Sequence, residues 1–146
     1  MDLQTLTIAK VELEKASLAT HVYIAPTVTW VEAQRDNEIQ VVHAGSLYVG
    51  DDPRHEVMTI DVAYFQRQRR DQAGRYEKAL VDTTASIMKA TEVIITVLDG
   101  SFLDGTLSVP LLVIREGVTR IDDKYPGLLL KVVSFQGSRI VKREST

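Results

Sequence analysis

Apolar positions along the chain repeat with two periods, and the change from one to the other divides it. Over residues 75–99 the period is helical. Leu80, Thr84, Ile87, Thr91, Ile94 and Leu98 advance by alternating steps of four and three, and Val81, Met88 and Ile95 repeat at seven beside them. Lys78, Asp82, Lys89 and Glu92 fall mostly off that face, so the spacing predicts one long amphipathic helix. Asp71 is the expected N-cap. Asp99-Gly100 is the expected stop, because glycine takes the left-handed conformation that follows a helix end. About 25 residues at a rise of about 1.5 Å each would span roughly 37 Å, enough to cross a small sheet. The run Val93-Ile94-Ile95-Thr96-Val97 is β-branched throughout and pulls toward a strand after Ala90. The stripe stays in phase to Leu98, which favours the uninterrupted helix.

Before and after that helix the period is mostly two. Residues 56–65 read as the clearest strand, with Met58, Ile60, Val62 and Tyr64 on one face and Val57, Thr59, Asp61, Ala63 and Phe65 on a more mixed one. Residues 21–32 read as a strand whose Pro26 demands an edge, a bulge or a break. Further strands are expected at 39–42 and 46–49, with Gly45 between them, and at 128–135 with an extension over 138–141. Residues 107–114 are apolar on both faces despite Pro110, so they are expected to be covered on both sides, and 118–121 form a short strand. Turns fall at Arg35-Asp36-Asn37, at 50–53, at the two Leu-Asp-Gly copies (98–100 and 103–105), at Glu116-Gly117 and at 122–127. Residues 3–18 carry a helical stripe of Leu6, Ala9, Leu13 and Ala16 and favour a short helix over a strand. The order is strands, one long helix, strands. It predicts an α+β fold: residues 1–146 as one domain, a largely antiparallel sheet with one long amphipathic helix packed on one face.

Composition narrows the function classes. An apolar fraction of 45% supports a packed core and argues against disorder. No stretch approaches the roughly 20 apolar residues of a membrane span, so no membrane partner is expected. Met1-Asp2-Leu3-Gln4 lacks the basic start of a signal peptide, which predicts a cytoplasmic chain or one assembled into a particle. The absence of cysteine removes disulfides, thiol catalysis and thiolate zinc sites together. A net charge of −3 gives no overall attraction to nucleic acid.

The candidate chemistry is sparse. His43, Asp51, Asp52, His55 and Glu56 form the densest polar cluster, with ligand types suited to zinc or another divalent ion. Their spacing matches no established site pattern, and a solvated hairpin tip explains them as well. Asp99 and Asp104 could pair as carboxylates or bind calcium, but the ligand spacing of an EF-hand is missing and two tight turns account for them. Arg67, Arg69, Arg70 and Arg75 form a basic cluster beside Tyr64, Phe65 and Tyr76. Arginine interleaved with aromatics can hold a phosphate backbone. A solvated connector, or a salt-bridging patch at a subunit interface, explains the same residues, and nucleic acid is not the expected partner. Nucleophile-elbow, P-loop and dinucleotide fingerprints are absent, and no catalytic residue or cofactor is assigned.

The layout resembles the tail-terminator and tail-completion proteins of long-tailed bacteriophages. Pro26-Thr27-Val28-Thr29-Trp30-Val31 looks like that family's proline-led strand, and Met58-Thr59-Ile60-Asp61-Val62-Ala63-Tyr64 like the strand before its helix. Residues 76–98 followed by Asp99-Gly100-Ser101-Phe102-Leu103 look like the helix and its exit, and residues 128–135 like the closing strand. The resemblance implies a non-enzymatic structural protein of the virion tail, assembled in the host cytoplasm. It further implies self-association into a hexameric ring that caps the tail tube and meets the head connector. The differing possibility is a small α+β enzyme or ligand- or metal-binding domain using the polar loops of residues 43–56.

Overall fold

The computed structural model describes residues 1–19, 21–30, 37–67, 76–121, 124 and 127–141, with backbone alone for 76–79. Its elements in chain order are α1 (Leu3–Lys15), β1 (His21–Ala25), β2 (Asn37–Val49), β3 (Arg54–Arg67), α2 (Tyr76–Leu98), β4 (Val109–Glu116), β5 (Arg120–Ile121) and β6 (Leu128–Val141). The strands form one sheet in the order β1-β2-β3-β6-β4, with β5 also pairing on β6.

This corrects the expected architecture. The sheet is mixed, not largely antiparallel. β1 runs parallel to β2, from His21 opposite Glu38 to Ala25 opposite Val42, while the other pairings are antiparallel. Nor does one helix cover it. Leu6, Ala9 and Leu13 of α1 join Ile87, Ala90, Ile94 and Leu98 of α2 over the same sheet face. The physical reason lies at Pro26. It ends β1 after five residues, and the chain bends away instead of turning back as a hairpin. A strand that leaves its neighbour and returns to it through a crossover arrives parallel.

The central strands β3 and β6 are 14 residues each and pair along their whole length, from Arg54 opposite Val141 to Arg67 opposite Leu128. Alternation along β3 sends Met58, Ile60, Val62 and Tyr64 into the main core with Phe135 and Val133 of β6 and the two helices. The opposite face carries a smaller cluster of Ala63, Phe65, Leu128 and Leu130, against which Val28 and Trp30 pack. Trp30 meets Phe65 edge-on, with ring centroids 5.9 Å apart. Residues 27–30, expected to continue a strand past Pro26, instead lie across the sheet as a cover, while 31 and 32 fall outside the described residues. Fully buried Gln40 fastens them. Its Oε1 accepts from the Thr29 N–H at 3.0 Å, and its Nε2 donates to the Thr29 carbonyl and the Tyr23 hydroxyl, each at 2.8 Å. One amide side chain thus supplies the backbone pairing that a strand partner would otherwise give.

In α2 the β-branched run stays helical to Leu98. Its buried stripe is Thr83, Ile87, Ala90, Thr91, Ile94 and Leu98. Burial of Ile94 and Leu98 against the sheet, roughly 1.5–3 kcal/mol for each side chain, outweighs a propensity difference of tenths of a kcal/mol per residue. Thr84 and Thr91 return their hydroxyls to the carbonyls of Leu80 and Ile87, both at 2.8 Å. Gly100, at φ +80°, ends the helix as expected. The Asp71 N-cap lies outside the described residues.

The strands expected at 39–42 and 46–49 are one strand, β2, with a register shift between His43 and Gly45. Strand 128–135 runs on without a break to Val141. Of residues 107–114, expected to be covered on both sides, those from Val109 on belong to the edge strand β4, where Leu111 is buried but Leu112, Val113 and Ile114 are exposed.

Candidate functional site

β2, β3 and β6 reach beyond the end of β1, and a charge cluster is built on the helix-covered face there. Glu56 stands in phase with Met58, Ile60 and Val62 on β3, so the same alternation that builds the core buries its carboxylate completely. Tyr48 lies opposite it on β2 and Arg139 opposite on β6. Three donors converge on it. They are the Met1 ammonium, the Ser46 hydroxyl at 2.6 Å and the Arg139 Nε at 2.7 Å. A second arm of the Arg139 guanidinium reaches Asp2 at 3.2 Å. Asp2 caps α1, accepting from the Thr5 N–H at 2.9 Å and the Thr5 hydroxyl at 2.7 Å. The cluster therefore ties the start of α1 to the far ends of β2, β3 and β6.

Burial pushes the Glu56 carboxyl up, but hydrogen bonds from the Met1 ammonium, Ser46 and Arg139 outweigh it and hold it at about 2. The hydrogen bonds from Thr5 hold Asp2 below its ordinary range. Pairing with Glu56 raises the Arg139 guanidinium.

His43 completes the chain, with its Nε2 2.8 Å from the Ser46 Oγ. The order of groups is histidine, serine, carboxylate, which is the wrong order for a nucleophilic triad. Ser46 spends its only proton on the ionised Glu56, so the imidazole must donate to Ser46 and is not positioned to activate it. A carboxylate at about 2 that neutralises two cations is no general base at neutral pH. The arrangement is a structural lock.

The remaining members of the sequence cluster are dispersed. Asp51 and Asp52 lie exposed in the turn between β2 and β3, and Asp51 reaches Arg54 at 3.7 Å. His55 points to the sheet face opposite Glu56, across from Ile140. Of the proposed ligands, only His43 joins the Glu56 network. Among the described residues no group of three or more histidine, aspartate or glutamate side chains is placed to hold a metal ion. Asp99 and Asp104 sit in two turns. Asp99 Oδ1 accepts from the Val113 N–H at 2.9 Å, and Asp104 is exposed. Arg67 is exposed at the end of β3, and Arg69, Arg70 and Arg75 lie outside the described residues. Sequence reasoning placed Glu56 in a solvated tip. The signal against that was present: a lone carboxylate in phase with four apolar residues of one strand face.

Two exposed apolar surfaces flank the sheet. The first is the arm formed where β2 outruns β1. Leu47, Tyr48 and Val49 are 70%, 58% and 55% exposed. The second follows the other edge, along β4 and β5, with Leu112, Ile114, Val118 and Ile121 exposed. The backbone of that edge is partly closed by the helix exit. Gly100 N–H donates to the Leu111 carbonyl at 2.6 Å, Leu111 N–H to the Ser101 carbonyl at 2.8 Å, and Asp99 takes Val113 N–H. Side chains, rather than unpaired backbone, are what β4 offers there. Among the described residues no helix is long and apolar enough to cross a membrane.

No family model and no curated protein matches this sequence. Among solved structures, the chain is similar to a chain from the virion of a native gene transfer agent (GTA) particle. The likeness covers 95% of both chains, at a TM-score of 0.57 and 16% sequence identity. At that identity the likeness is one of fold.

Proposed function

We propose that residues 1–146 form one domain that serves as a structural protein of a phage-like virion. In this reading the chain acts by assembly and not by catalysis. It associates with copies of itself into a hexameric ring that caps a tail tube and meets the head connector, and it is built into the particle in the host cytoplasm. The observation that carries the reading is the fold shared with a virion chain over nearly the full length of both. Two exposed apolar surfaces on opposite edges of one sheet add support, since isolated soluble chains rarely leave such strips uncovered. The Glu56 charge cluster adds more, being spent on holding α1 to the sheet. Arg67, with Arg69, Arg70 and Arg75 after it in sequence, is assigned to contacts with a neighbouring subunit.

The test is the native mass by light scattering over a wide range of concentrations, with and without chelator. A closed oligomer of fixed mass, indifferent to chelator, is the expected result. A monomer at every concentration would refute the self-associating reading. A monomer that also loses stability on chelation would return attention to His43, Asp51, Asp52 and His55.

A further inference from the structure

We infer that the β2–β3 arm of one molecule docks on the β4–β5 edge of a second copy, a head-to-tail contact between two different surfaces of the same chain. The inference rests on the self-associating reading above and names the surfaces that would carry it. The arm is an edge without the usual protection. β1 ends opposite Val42, so among the described residues the outer side of β2 beyond the register shift has no neighbouring strand, and Ser46-Leu47-Tyr48-Val49 carries no charge. The opposite edge of the sheet presents a matching apolar strip, with Val118 and Ile121 each 73% exposed.

Charge decides which surface meets which. The tip of the arm carries Asp51 and Asp52, both exposed, and Arg54, which pairs with Asp51 and leaves Asp52 as the excess negative charge. The β4–β5 edge carries Arg115 and Arg120, also exposed and in no ion pair among the described residues. Arm against arm would set acid against acid, and edge against edge would set base against base. Arm against edge pairs opposite charges around an apolar centre. Because the two surfaces lie at opposite edges of one sheet, each added copy leaves one arm and one edge free. Such a contact continues until rotation closes it into a ring.

The test uses two variants of the full chain, Leu47→Glu on the arm and Ile121→Glu on the edge. Far-UV circular dichroism melts check that each stays folded, and light scattering is run where the wild type assembles. Each variant alone is expected to raise the concentration for half-assembly about tenfold or more, leaving monomer under those conditions. An equimolar mixture is expected to give a dimer of one of each, because the intact arm of one fits the intact edge of the other. If either glutamate unfolds the chain, Asp52→Lys and Arg120→Glu carry the same comparison. A wild type that assembles, with both variants assembling equally well, would overturn this contact and leave self-association standing. Monomeric variants that form no mixed dimer would overturn the head-to-tail arrangement. A wild type that is monomeric throughout would overturn both the contact and the reading beneath it.

Discussion

Replacing Glu56 with glutamine tests the buried lock directly. The substitution keeps size and one acceptor oxygen but removes the charge that balances the Met1 ammonium and Arg139. Two routes give the magnitude. Removing one partner of a buried ion pair costs about 3–5 kcal/mol, because the charge left behind stays desolvated. Independently, a carboxyl at about 2 in the folded chain, against an ordinary 4.5, stabilises the fold by roughly 3 kcal/mol at neutral pH. Arg139 retains Asp2 as a second partner, so the lower end, about 3 kcal/mol, is the expected loss. The pH dependence follows from the sign of the shift. Glu56 is held low in the folded chain, so its contribution is full above about 4.5 and drains away as pH falls through about 2. Urea denaturation followed by circular dichroism, at one dilute protein concentration, measures both quantities. The gap between wild type and Glu56→Gln should be about 3 kcal/mol at neutral pH and shrink below about 1 kcal/mol near pH 2. A neutral-pH gap under about 1 kcal/mol, or a gap that persists unchanged into acid, would refute the electrostatic account.

Two further substitutions probe the two sheet faces. Gln40→Ala strips the Thr29 N–H and carbonyl of their partner, while the Tyr23 hydroxyl keeps Glu38, and should cost about 2–3 kcal/mol. It should also red-shift the emission of Trp30, the sole tryptophan, as the cover over Phe65 loosens, and unchanged emission would count against the clamp. Ile94→Ala should cost about 2–5 kcal/mol, while Met88→Ala on the exposed side of α2 should stay within about 0.5 kcal/mol. Equal losses in the two melts would show that the helix face is assigned in the wrong phase.

The sequence made local structure legible where one face is buried. The alternation of Met58, Ile60, Val62 and Tyr64 located β3, and the stripe through Ile87, Ile94 and Leu98 located α2, because core-facing periodicity is what those residues are selected for. Pairing direction was not legible. That β1 lies parallel to β2 depends on a crossover whose anchor, Gln40, is a single amide contact between distant segments. The front half of α2 misled for a related reason. Leu80, Val81 and Met88 continue the apolar pattern but remain exposed, since periodicity reports that a face is apolar and not what covers it. The same ambiguity hid β4, whose apolar run looked like an interior strand and is an edge. Glu56 was missed because acidic residues near a turn are usually solvated. Only its phase along β3, together with Arg139 far away in sequence, distinguishes it.

The register shift in β2 has a consequence for how this surface can change over generations. His43 lies opposite Ile60, but Gly45 already lies opposite Thr59, so Ala44 is the extra residue of a bulge. That one residue inverts the parity of everything beyond it. With it, Ser46 shares a face with Glu56 while Leu47 and Val49 take the other. Deleting Ala44 would close the bulge and leave these pairings intact, with Gly45 still opposite Thr59 and Ser46 still on the Glu56 face. Point substitutions tune the arm one position at a time. A deletion at this place is absorbed where it occurs, whereas pairing Ala44 into the ladder would slip the arm by one residue and turn it over. Lineages carrying this fold can thus lose the bulge residue without exchanging the two faces of the arm.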